Sequence, residues 1–99
     1  REVLIQSIRK MRRVKVLIEG KVQGVFFRAN TEKRAVALGL KGYVKNVSKG
    51  VEAVFEGEDE KVAEILSFCA IGPEAAKVTG VDVSEESYVG EFEDFKIEY

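Results

Sequence analysis

Residues 14–39 read VKVLIEGKVQGVFFRANTEKRAVALG, and a change of period inside them decides the fold. Val14, Val16 and Ile18 interleave with Lys15, Leu17 and Glu19, the two-residue repeat of a strand. From Phe27 the repeat lengthens. Phe27, Thr31, Ala35 and Leu38 share one helical face, and Gly39 stands where that helix should end. Strand and helix are joined by a loop bracketed by Gly20 and Gly24.

Reading outward, residues 42–46 (GYVKN) are short and β-prone, and residues 47–50 (VSKG) suit a hairpin turn. Val51, Ala53 and Phe55 then alternate with Glu52, Val54 and Glu56. Glu58, Asp59 and Glu60 place negative charge in the first turn of a second helix, where the dipole favours it. Val62, Ile65, Leu66 and Cys69 form its apolar stripe, and Gly72-Pro73 stops it. Val81 and Val83 alternate with Asp82 and Ser84; Phe95, Ile97 and Tyr99 alternate with Asp94, Lys96 and Glu98. The order is βαββαβ with a short final strand. It predicts an α+β ferredoxin-like α/β sandwich: an antiparallel sheet of four to five strands with two helices on one face. Residues 13–99 form the domain. Residues 1–12 are read as an N-terminal extension, in which Leu4, Ile8 and Met11 have the spacing of a short helix.

The fold hosts many functions, so function has to come from the site. The chain has 99 residues, 45% of them hydrophobic and 33% charged, which fits one globular domain. No apolar run approaches the roughly 20 residues that a membrane-spanning helix needs. The apolar run at residues 3–5 is too short for a signal-peptide core. The single cysteine, Cys69, permits no disulfide within the chain, and a reducing cytoplasm is the expectation. Cys69 lies on the helical stripe and reads as inert core. Histidine is absent, which removes the commonest general base and makes a zinc site improbable; no metal is expected.

Charge is divided along the chain. Residues 1–50 carry 13 Lys/Arg and 3 Asp/Glu, a net +10; residues 51–99 carry 3 and 14, a net −11. Either the two halves pair across the fold, or the first half faces an anion. The glycine loop bears on that choice. Such a loop can turn several N–H groups toward one point, and a helix N-terminus adds more. Arg28 stands at that helix start, where a cation opposes the dipole by a few tenths of a kcal/mol. A bound phosphate would convert the repulsion into a clamp, since a guanidinium grips two phosphate oxygens at once. The plainer alternative is a tight strand-to-helix turn with Arg28 in water. Spacing alone leaves both open.

Residues 18–28, IEGKVQGVFFR, closely resemble the first signature of the acylphosphatase family. Residues 42–46, GYVKN, resemble the start of its second signature, and residues 50–57, GVEAVFEG, the continuation. Here Gly50 runs directly into Val51, so the hairpin turn is tighter than is usual in the family. Tyr43 stands where tryptophan is common, a packing position. The resemblance implies a metal-independent, cofactor-free hydrolase of acyl phosphates, releasing a carboxylate and inorganic phosphate. By motif position Arg28 would bind the phosphate and Asn46 would position the attacking water. The backbone N–H groups of Lys21, Val22, Gln23, Gly24, Val25 and Phe26 would form the cradle. Lys21, Lys41, Lys45 and Lys49 could add positive potential or simply solvate the surface. Thr31 reads as helix face rather than site.

Two other classes compete. An RNA-binding module should carry aromatic platforms on its central strands, but residues 51–57 offer only Phe55 and carry Glu52 and Glu56. No nucleic-acid partner is expected, and no membrane. The nearer alternative is a non-catalytic phosphate-binding module like the N-terminal domain of hydrogenase-maturation carbamoyl transferases. A free-standing monomeric enzyme is the expectation.

Overall fold

The computed structural model describes residues 10–99. In chain order it contains β1 (Met11–Lys21), α1 (Phe27–Ala37), β2 (Lys41–Val47), β3 (Gly50–Glu58), α2 (Asp59–Ile71), β4 (Lys77–Glu86) and β5 (Phe95–Glu98). One five-stranded sheet has the order β4-β1-β3-β2-β5, and both helices pack against it. The βαββαβ reading is borne out. Met11 and Arg12, placed in the extension on sequence, pair with Glu58 and Gly57 in the sheet. The helix suggested by Leu4, Ile8 and Met11 falls mainly outside the described residues, and Met11 itself belongs to β1.

Register puts the alternating valines to use. Val14 faces Phe55, Val16 faces Ala53 and Ile18 faces Val51 across β1 and β3; all six are buried on the helix side of the sheet. The helices answer with Phe27, Thr31 and Ala35 from α1 and Val62, Ile65 and Cys69 from α2. Each fully buried Val, Ile or Phe side chain contributes about 1.5–3 kcal/mol. Thr31 enters this layer because its hydroxyl donates to the Phe27 carbonyl at 2.8 Å, satisfying itself inside the helix.

The sheet is mixed, a correction to the wholly antiparallel expectation. β5 runs parallel to β2, with Gly42 opposite Phe95 and Val44 opposite Ile97. Chain reach explains it. β4 ends at the edge of the sheet where β2 begins. Crossing four strand spacings along that edge takes about 19 Å. Residues 87–94 can span roughly 27 Å, so the chain arrives without length to climb the sheet and descend. The link is pinned to the open face. The Glu56 carboxylate, 1% exposed, accepts the N–H groups of Val89 and Glu91 at 3.3 and 3.1 Å. Arg13 pairs with Glu56, Glu86 and Glu91, and its guanidinium lies 5.3 Å from the Phe92 ring centre.

Among the described residues every ion pair joins a base of the first fifty residues to an acid of the rest: Arg12 to Asp59 and Glu85, Arg13 as above, Lys15 and Lys45 to Glu52. The charge division is thus in part pairing across the fold, through Arg12, Arg13, Lys15 and Lys45. No helix of the described residues is long and apolar enough to cross a membrane.

Candidate active site

The fold brings the ends of β1, β2 and β5 and the start of α1 to one edge of the sheet. The loop of residues 22–26 emerges there. Its exit from β1 is a register shift between Glu19 and Gly20. Gly20 has φ +127°, and a Cβ there would sit 2.1 Å from the Lys77 carbonyl oxygen, so only glycine fits. Val22 and Val25 are buried and hold the loop down, while Gln23, Gly24 and Phe26 face outward. Gly24 has φ +74° in open space, a left-handed turn that glycine adopts freely.

Phe26 is the one non-glycine residue of the described chain with positive φ, at 62°. That conformation costs about 1 kcal/mol for an L-residue. It directs the Phe26 carbonyl into α1, where the backbone and side-chain N–H groups of Asn30 donate to it at 3.0 and 2.9 Å. It also leaves α1 without a side-chain cap or an acid in its first turn. The Val22 N–H donates to the Gly20 carbonyl, and Lys21 still belongs to β1. The N–H groups of Gln23, Gly24, Val25 and Phe26 have no protein acceptor among the described residues. Four consecutive free donors next to an uncapped helix start give this loop a positive partial charge.

Arg28 is half-buried in the first turn of α1. No carboxylate of the described residues lies within ion-pair distance of it. Its guanidinium carbon sits 5.1 Å from the Tyr99 ring centre. A cleft of about 270 Å³ opens between Gly24, Phe26, Arg28 and Ala29 on one side and Ile97 and Tyr99 on the other. Parallel β5 therefore supplies one wall.

Asn46 pairs with Val51 and shares the helix side of the sheet with Val44. It is exposed, and its side chain donates to no protein group among the described residues. Lys45 pairs with Glu98, which sets Asn46 level with Tyr99, a residue of the cleft whose lining does not include Asn46. Of the four lysines, Lys21 and Lys49 lie at this edge. Lys41 starts β2 at the opposite edge and donates to the Glu93 carbonyl, and Lys45 is on the open face 3.9 Å from Glu52.

A family model described as acylphosphatase matches residues 14–97. The chain belongs to the acylphosphatase family. An acylphosphatase of Syntrophus aciditrophicus is 51% identical over 90 residues, covering 90% of this chain and 94% of that one. The solved structure of an acylphosphatase from Coxiella burnetii superposes with a TM-score of 0.83 at 37% identity, covering 89% and 93%. Full-length HypF, in its phosphate- and nucleotide-bound form, gives a TM-score of 0.85 at 30% identity over 93% of this chain, but over 12% of its own length. The expected enzyme class, a hydrolase, follows from membership of the acylphosphatase family.

Three features of this acylphosphatase fold escape sequence reasoning. The first is the wall formed by Ile97 and Tyr99, which depends on the direction of β5. The second is the left-handed Phe26, for which a phenylalanine gives no signal. The third is the Gln23 side chain. Its amide nitrogen donates to the Val47 carbonyl at 2.7 Å and the Gly50 carbonyl at 2.8 Å. Both acceptors are backbone atoms, invisible in any residue pattern.

Proposed function

We propose that the chain hydrolyses the carboxyl–phosphate bond of acyl phosphates, and that Arg28, Asn46 and the loop amides carry the reaction. The observation behind this reading is a cleft lined by Gly24, Phe26 and an acid-free Arg28, in a loop whose residues 23–26 have N–H groups without protein acceptors. Arg28 grips two oxygens of the phosphoryl group. The N–H groups of residues 23–26 are shared among the phosphoryl oxygens, with Lys21 and Val22 flanking the cradle. These donors stabilise charge as it spreads over the phosphoryl oxygens, and their geometry is set before substrate arrives.

Asn46, level with Tyr99, orients a water with its side-chain oxygen. The water attacks phosphorus and the bond from phosphorus to the carboxylate oxygen breaks, the electron pair leaving with the carboxylate. Asparagine is no base, so the water's proton passes to a phosphoryl oxygen of the substrate. The products are a carboxylate and dihydrogen phosphate. A carboxylate leaves readily, so neither a strong acid nor a metal is needed. The apolar wall of Ile97 and Tyr99 leaves the acyl group room outside the cradle. One chain supplies every part, so a monomer suffices.

The HypF likeness supports a second reading, a phosphate-recognition module without turnover. One experiment separates them: hydrolysis of benzoyl phosphate with chelator present, by wild type, Arg28→Ala and Asn46→Ala. The enzyme reading expects fast turnover, falling at least roughly 10²-fold in Arg28→Ala. A folded wild type that binds phosphate and turns nothing over would establish the second reading.

A further inference from the structure

We propose that Gln23 is a positioning residue, whose carboxamide fixes Asn46 relative to the anion loop; the inference rests on the role of Asn46 given above. Val47 and Gly50 are the closing pair of the β2–β3 hairpin, whose turn is Ser48 and Lys49. The Gln23 Nε2 bridges both carbonyls of that pair. Carbonyls only accept, so both hydrogens of the amide are committed and the orientation of the amide is fixed by its partners.

No other hydrogen bond joins residues 22–26 to residues 47–50 among the described residues. Asn46 immediately precedes one acceptor. The loop that would hold the phosphate and the strand that would hold the water come from different parts of the sheet, β1 and β2, which are not neighbours. Gln23 is the polar link that sets one against the other. Its backbone N–H lies in the cradle, so one residue would touch both halves of the reaction. A shift of an ångström between phosphorus and water is enough to lose large factors in rate.

The test is a double-mutant cycle. Gln23→Met keeps length and backbone and removes both donors; Gln23→Asn keeps both donors one methylene short. Each is made in the wild type and in Asn46→Ala, with kcat and KM for benzoyl phosphate, inhibition by inorganic phosphate and thermal melting measured for all. In the wild type, Gln23→Met should lower kcat about tenfold, with Gln23→Asn between, while phosphate inhibition moves less than about threefold. In Asn46→Ala the same changes should lower kcat less than about twofold, because the group being positioned is gone. Equal losses in both backgrounds would overturn the inference, as would loss of phosphate affinity in step with kcat. Should Asn46→Ala alone keep full kcat, the role of Asn46 falls and the inference with it. Should Asn46→Ala lose kcat while Gln23→Met keeps its full effect, the inference alone falls. Gln23 is exposed, so these variants should melt near the wild type, and Gln23→Asn stands in if Gln23→Met does not fold.

Discussion

At the scale of single residues, the loop carries a stability deficit that a ligand can offset. Arg28 opposes the α1 dipole and Phe26 holds a left-handed backbone while 78% exposed. Inorganic phosphate should therefore raise the melting temperature of the wild type and fail to do so for Arg28→Ala. Arg28→Lys should behave nearly as badly as Arg28→Ala in turnover, since a point charge cannot replace the planar fork. Gly24→Ala meets no atom within 4 Å, so its penalty is the backbone alone, about 1 kcal/mol by chemical denaturation. Burial pushes the Cys69 thiol up to about 12, so the native protein should resist thiol reagents that label it at once when unfolded. Arg28 and the glycine bracket were legible in the sequence because they break local rules for a helix start. The Gln23 clamp was not, since its partners lie 24 and 27 residues away and are main-chain oxygens.

Among the elements, the two helices and β1 could be read from period, because each buries one face and the apolar residues mark it; β2 was read as β-prone, β3 is buried on both faces and β4 has no buried residue. β5 existed in the sequence as an alternation, but its direction did not: direction is set by how far residues 87–94 reach, and that link has no pattern. The open faces of β2 and β3 carry a testable pair. The Tyr43 hydroxyl donates to the Glu52 carboxylate at 2.6 Å, and burial first, then that bond, raise its phenol above the usual tyrosine range. Its contribution is complete below the ordinary phenol pKa of about 10 and is lost as pH rises through the raised value. Melting temperature should fall on that alkaline side more steeply in wild type than in Tyr43→Phe. The same substitution should remove the highest-pH step of the phenolate absorbance titration.

In the whole molecule, the link between the two sheet edges is held by several contacts, of which the buried Glu56 carboxylate takes two of its N–H groups. Glu56→Ala would remove one of the three carboxylates around Arg13 and the acceptor of the Val89 and Glu91 N–H groups, a loss of about 1–3 kcal/mol by denaturant titration. Because that link also delivers Ile97 and Tyr99, substrate binding should weaken along with stability. The pairing of bases from one half with acids from the other has a consequence for synthesis. As the chain is made, its first fifty residues emerge as a polycation whose neutralising partners have yet to be translated. Until β3 and α2 follow, that positive charge has few acids of its own chain to meet it. Completion of the sheet brings Arg12, Arg13, Lys15 and Lys45 to their acids.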